Sequence, residues 1–109
     1  MSAAARDSLA QQLDDLLAAG RQMLAAARDG EWDKADTLQT QCHHMSEALF
    51  AEPVPAASAA AVADVIGQLM EQHSEAMQLC SHAREDFMQE IGNINQGRQA
   101  VSEYSSNSG

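Results

Sequence analysis

The side chains that could ligate a metal or attack an electrophile fall in two groups, Cys42-His43-His44 and His73 with Cys80 and His82. Zinc would need four ligands converging at about 2.0–2.3 Å from one point. Consecutive helical residues diverge by about 100°, so Cys42, His43 and His44 cannot easily share an ion. Cys80 and His82, two apart, also point to different faces. If the helices carrying the two groups pair about a loop near Pro55, Cys42 lies opposite Gln68 and Cys80 about 18 Å further along. This spacing predicts neither a disulfide nor a metal site, and no cofactor is expected. His73 sits in an apolar stripe and reads as a core or edge histidine with a hydrogen-bond partner. The carboxylate pairs Asp14/Asp15 and Glu85/Asp86 are neighbours on polar faces, no nucleophile–base pair can be placed in a cleft, and no Gly-rich phosphate loop appears. The residues describe a protein with no catalytic site.

The elements that would position these side chains are helices. Leu9, Leu13, Leu16, Leu17, Met23, Leu24 and Ala27 recur at helical spacing, and so do Trp32, Ala35, Leu38, Cys42, Met45 and Leu49. The two stripes meet at Asp29-Gly30-Glu31-Trp32-Asp33. Gly30 suits the left-handed conformation that ends a helix, and Glu31, Asp33 and Asp36 favour the start of the next. So short a connection predicts an antiparallel αα-hairpin, with Trp32 folded inward at the corner. Gly20, on or beside the first stripe, predicts another helix passing close by. The Pro53-Val54-Pro55 loop ends the second helix. Ser58 is a fair N-cap for a third helix with the stripe Val62, Ile66, Leu69, His73, Met77, Cys80, Ala83, Phe87, Ile91 and Ile94.

The expected fold class is all-α, an antiparallel helical bundle of three main helices plus a short or in-line C-terminal helix. The boundaries are about 7–29, 31–50, 58–91 and 97–104 in a single domain spanning 1–104, and 105–109 are expected to be disordered. Gly92-Asn93-Ile94-Asn95-Gln96-Gly97 is where the third helix should weaken. At 1.5 Å per residue the first two helices span roughly 30–35 Å and the third about 50 Å. The third should therefore overshoot the Trp32 corner. Phe87, Ile91, Ile94, Val101 and Tyr104 lie on the overhang, to be covered by a fourth helix folding back, by a partner, or by each in turn.

Sixteen acidic residues against six basic ones leave a net charge of −10, which argues against direct nucleic-acid binding and against anionic membranes. The N-terminal residues Met1 to Arg6 show neither the basic nor the apolar region of a signal peptide, and no apolar run approaches the roughly 20 residues of a membrane span. A cytoplasmic protein with two reduced thiols is expected. Met23, Met45, Met70, Met77 and Met88 all fall in helices, and methionine suits grooves that receive apolar helices from a partner as well as cores.

Met23-Leu24 with Ala26-Ala27 and Gly30-Glu31-Trp32-Asp33, together with Gly97-Arg98-Gln99-Ala100 leading to Tyr104, resembles the flagellar export chaperone FliT family. The likeness extends loosely over the whole chain in helix order and spacing. Gln39 and the Gln41-Cys42-His43 run depart from the glutamate and arginine usual after Leu38. The resemblance implies a cytoplasmic chaperone that holds the filament-cap protein FliD by its C-terminal segment. It also implies contact with export ATPase components and, in some members, restraint of the flagellar master transcription activator through protein contact. On this reading the client groove, on the second and third helices, comprises Cys42, Met45, Leu49, Ile66, Met70, His73 and Met77. Phe87, Ile91, Ile94, Val101 and Tyr104 form a regulatory segment that competes with the client. The alternative is a structural protein forming an obligate homodimer through its long third helix.

Overall fold

The computed structural model describes residues 3–107, with side-chain surroundings given for 8–105. Three α-helices follow one another: α1 (Ala3–Arg28), α2 (Trp32–Phe50) and α3 (Ala59–Asn107), the last preceded by a 3₁₀ turn at Ala56–Ser58. No strand occurs among the described residues, and the fold class is all-α. Two compact units divide the chain, Met1–Leu79 and Cys80–Gly109.

In the first unit α1 and α2 form the antiparallel hairpin expected from the corner. Gly30 takes φ 73°, the left-handed value that a Cβ disfavours. The Gly30 N–H donates to the Ala27 carbonyl (3.1 Å) and the Glu31 N–H to the Ala26 carbonyl (2.9 Å). This paired closure satisfies carbonyls that the end of α1 leaves without helical partners. Nothing else lies within 4 Å of where a Cβ on Gly30 would stand, so the backbone conformation alone sets the penalty for a side chain there. Gly30→Ala is expected to lower stability by about 1 kcal/mol, measured as a denaturant midpoint, with no change in the native circular dichroism.

Two apolar clusters run along the hairpin. At the Pro-loop end Leu13, Leu16, Ala19, Cys42, Leu49, Val62 and Val65 are buried, with Leu9, Leu17, Met45, Val54, Ile66 and Leu69 packed against them. At the Gly30 end the cluster is Met23, Ala26, Ala27, Ala35 and Leu38, joined by Ala76 and Leu79. The order of these residues makes α3 antiparallel to α2 up to Leu79, and parallel to α1. Gly20 marks the close passage that the sequence predicts. A Cβ there would collide with Gln72 Oε1 and stand 2.7 Å from Leu69 Cδ2. Arg28 of α1 also reaches Glu75 of α3 at 2.9 Å, an exposed pair of small energetic weight.

Trp32 departs from its expected position. It is 36% exposed at the corner and lies outside both apolar clusters. Ala26, Ala27 and Ala35 meet there instead, and helices packed through alanine approach too closely to admit an indole between them.

In the second unit the helix continues through Gly92 and Gly97 without interruption, so the C-terminal helix is the in-line extension of α3. Glycine and asparagine lower helix propensity, but unlike proline they keep the N–H, and the ladder closes over them. Residues 105–107 are helical too, where a disordered tail was expected; residues 108 and 109 lie outside the described residues. Phe87, Met88, Ile91, Ile94, Val101 and Tyr104 are all exposed.

Candidate functional site

An open groove of about 430 Å³ lies between α2 and α3 in the first unit. Helix α2 contributes Gln39, Cys42, His43, Ser46 and Phe50, spaced so that one face looks across at α3. Helix α3 contributes Ile66, Leu69, Met70 and His73, and Met23 of α1 completes the lining. The groove is predominantly apolar in its side chains and carries a polar rim.

Cys42 is buried, and that desolvation pushes its thiol pKa up, opposed in part by a backbone hydrogen bond at its own position. A thiol held protonated is a small apolar wall and a poor nucleophile. On the rim His43 Nε2 lies 2.7 Å from Glu47 Oε1, one turn away on the same helix. No cluster of three or more His, Cys, Asp or Glu side chains suited to a metal occurs among the described residues. The arrangement offers shape and apolar contact.

The structure brings Cys42, Ile66, Met70 and His73 together in this groove and leaves out Met45, Leu49 and Met77. Leu49 is buried in the core, and Met45 is half-buried against the same cluster. Leu49 also edges a separate depression of about 290 Å³ between the start of α1 and the Pro loop. Met77 is exposed, one helical turn beyond His73. Of the core and edge positions open to His73, the structure gives the edge: it is exposed on the groove, because Leu69 and Ala76 take the inward positions beside it. Met23, Phe50 and Leu69 are lining residues that the expected set lacked. Counting three, four and eight residues from Cys42 reaches Gln39, Ser46 and Phe50, so the groove face is legible once Leu49 is assigned inward.

The flagellar protein FliT family matches the chain over residues 10–106. The chain belongs to the FliT family. The match includes α2, the whole groove, and α3 almost to its end. FliT proteins form a chaperone family of flagellar export, and that role extends to this member. Neither a curated protein nor a solved structure matches the chain. No described helix is long and apolar enough to cross a membrane.

Proposed function

We propose that this chain is a cytoplasmic chaperone that holds the filament-cap protein FliD, through its C-terminal segment, in the α2–α3 groove until export. The observation that carries this reading is the groove itself. Ile66, Leu69 and Met70 line one wall in a helix-spaced row, and Met70 is 68% exposed. An adaptable apolar row of this kind suits the apolar face of an incoming helix. Phe87, Ile91, Ile94, Val101 and Tyr104 form the regulatory segment in this proposal, competing with the client. Gly92 and Gly97 are the positions at which the helix yields most readily, since glycine has the lowest helix propensity after proline. Export ATPase components and the flagellar master transcription activator are further protein partners on this reading.

The test is calorimetric titration of the chain with a peptide spanning the C-terminal segment of FliD. Met70→Asp is expected to weaken binding at least tenfold, because a carboxylate facing the peptide loses its water without gaining a partner. Ile94→Asp combined with Tyr104→Ala is expected to change the affinity while helicity stays at the wild-type level. Unchanged affinity in Met70→Asp removes the groove from the client site. Unchanged affinity in the double variant removes the regulatory role.

The exposed face of residues 87–104 also suits a second copy of the chain. Light scattering separates the readings. A monomer at low micromolar concentration supports the chaperone, and an obligate dimer the alternative.

A further inference from the structure

Within the first unit, four large apolar side chains stand exposed among the described residues: Trp32, Phe50, Met70 and Met77. All four fall on two rows that flank the groove. On α2 the row is Trp32, Asp36, Gln39, His43, Ser46 and Phe50, stepping alternately by four and three. On α3 it is Ile66, Met70, His73 and Met77, stepping in the same way. Such alternation is the spacing at which one helix receives the side chains of another lying along it. The groove lining takes in only the Phe50 end of this surface, as far as Gln39 and His73. Because α2 and α3 run antiparallel, Met77 lies toward the Trp32 corner, where its neighbours Ala76 and Leu79 join the cluster of Ala35 and Leu38. No lysine or arginine stands on either row, and Asp36 and Glu47 edge the α2 side.

We infer that the client seat is longer than the groove: one amphipathic helix lies along both rows from Phe50 to Trp32 and completes a four-helix bundle with α1, α2 and α3. This rests on the groove being the client site. From Trp32 to Phe50 α2 rises about 27 Å, so the facing helix runs for about five turns. Its apolar stripe meets Met70 and Met77. The edge it turns to Asp36 and Glu47 is neutral or basic, since an acid there would be repelled. Trp32 and Phe50 are the contacts at its two ends. An indole has a large apolar area to bury and few rotors to freeze, which makes it a strong anchor once a partner covers it. The alanine packing that keeps Trp32 out of the core thus leaves it on the seat.

Trp32 is the one tryptophan of the chain, so its fluorescence reports on its own end of the seat. The test titrates the full chain with a tryptophan-free peptide spanning the C-terminal segment of FliD, following Trp32 emission and calorimetry together. Saturation is expected to move the emission to shorter wavelength and to protect the indole from acrylamide quenching. Trp32→Ala is expected to weaken binding about tenfold, the loss of an anchor residue. It should melt as wild type does, because the indole lies outside both apolar clusters. Met70→Asp reads the groove alone. Binding that Met70→Asp weakens, with Trp32 emission unmoved or with Trp32→Ala within about twofold of wild type, overturns the inference and leaves the groove reading standing. A peptide that wild type does not hold, or that Met70→Asp holds equally well, overturns the groove reading and this inference with it. Emission already at short wavelength in the free chain, and lengthening on dilution, means that a second copy lies over Trp32 and also overturns the inference.

Discussion

Leu16→Ala is expected to lower the free energy of unfolding by about 3 kcal/mol, enough to remove a large share of the stability of a small helical domain. Leu16 is fully buried at 0% exposure, in the cluster where α1 meets Cys42 and Leu49 of α2 and Val62 and Val65 of α3. Truncation removes the transfer free energy of three carbons and leaves a void that helices fixed by their neighbours cannot fully close. The effect should appear in urea as a lower midpoint with an unchanged slope, since the surface exposed on unfolding barely alters. A loss below about 1 kcal/mol would mean that the site collapses freely, and that the three helices are not locked together there.

Gly20→Leu should cost a comparable amount for the opposite reason, about 3 kcal/mol from overpacking. Even a single Cβ at this position collides with Gln72 Oε1 and stands 2.7 Å from Leu69 Cδ2. Those are the ends of flexible side chains, so Gly20→Ala is expected to be nearly neutral. The strain of nudging Leu69 and Gln72 is offset by up to about 1 kcal/mol of improved helix propensity. Gln72 Oε1 is also buried without a hydrogen-bond partner among the described residues, so moving it gives up no bond. A leucine has no such escape, because its branched end must occupy the space that α3 fills. Thermal melts of the two variants side by side provide the measurement. Leucine as mild as alanine would show that α3 is not seated on α1 at this point.

These two sites also show what periodicity makes legible. The inward face of α1 is written in leucines three and four apart, and Gly20 is conspicuous because it stands beside that stripe without a side chain. The Gly30 corner is legible because left-handed backbone has few alternatives to glycine. Trp32 misleads, since a large aromatic is ordinarily a core residue, while the alanines that displace it carry almost no signal of their own. The Gly92–Gly97 segment leaves two courses open, a helix that folds back and one that continues in line, and the helix continues. Weak helix formers mark where a helix weakens, and only loss of an N–H or a steric clash compels a break.

The groove was half legible. Cys42, Ile66, Met70 and His73 follow from the facing stripes of α2 and α3, but a stripe wider than a single row does not say which of its edges turns inward. Leu49 turns in and Phe50 out, a rotation of one residue set by how α2 seats against α1. Sequence spacing carries no information on that angle. The exposed residues from Phe87 to Tyr104 were legible as an apolar row, because they recur at helical spacing along one helix.

The two ends of the hairpin differ in what holds them. Leucines and valines fill the end beside the proline loop, while alanines make up most of the end beside Gly30. Burial stabilises in proportion to apolar area, about 25 cal/mol per Å², so the alanine seam grips less firmly per turn. Hydrogen exchange should therefore run unevenly along the pair, fastest next to the glycine corner and slowest around Leu13 and Leu49. A hairpin of this build opens like a clasp, loosening at its bend while the far end stays shut.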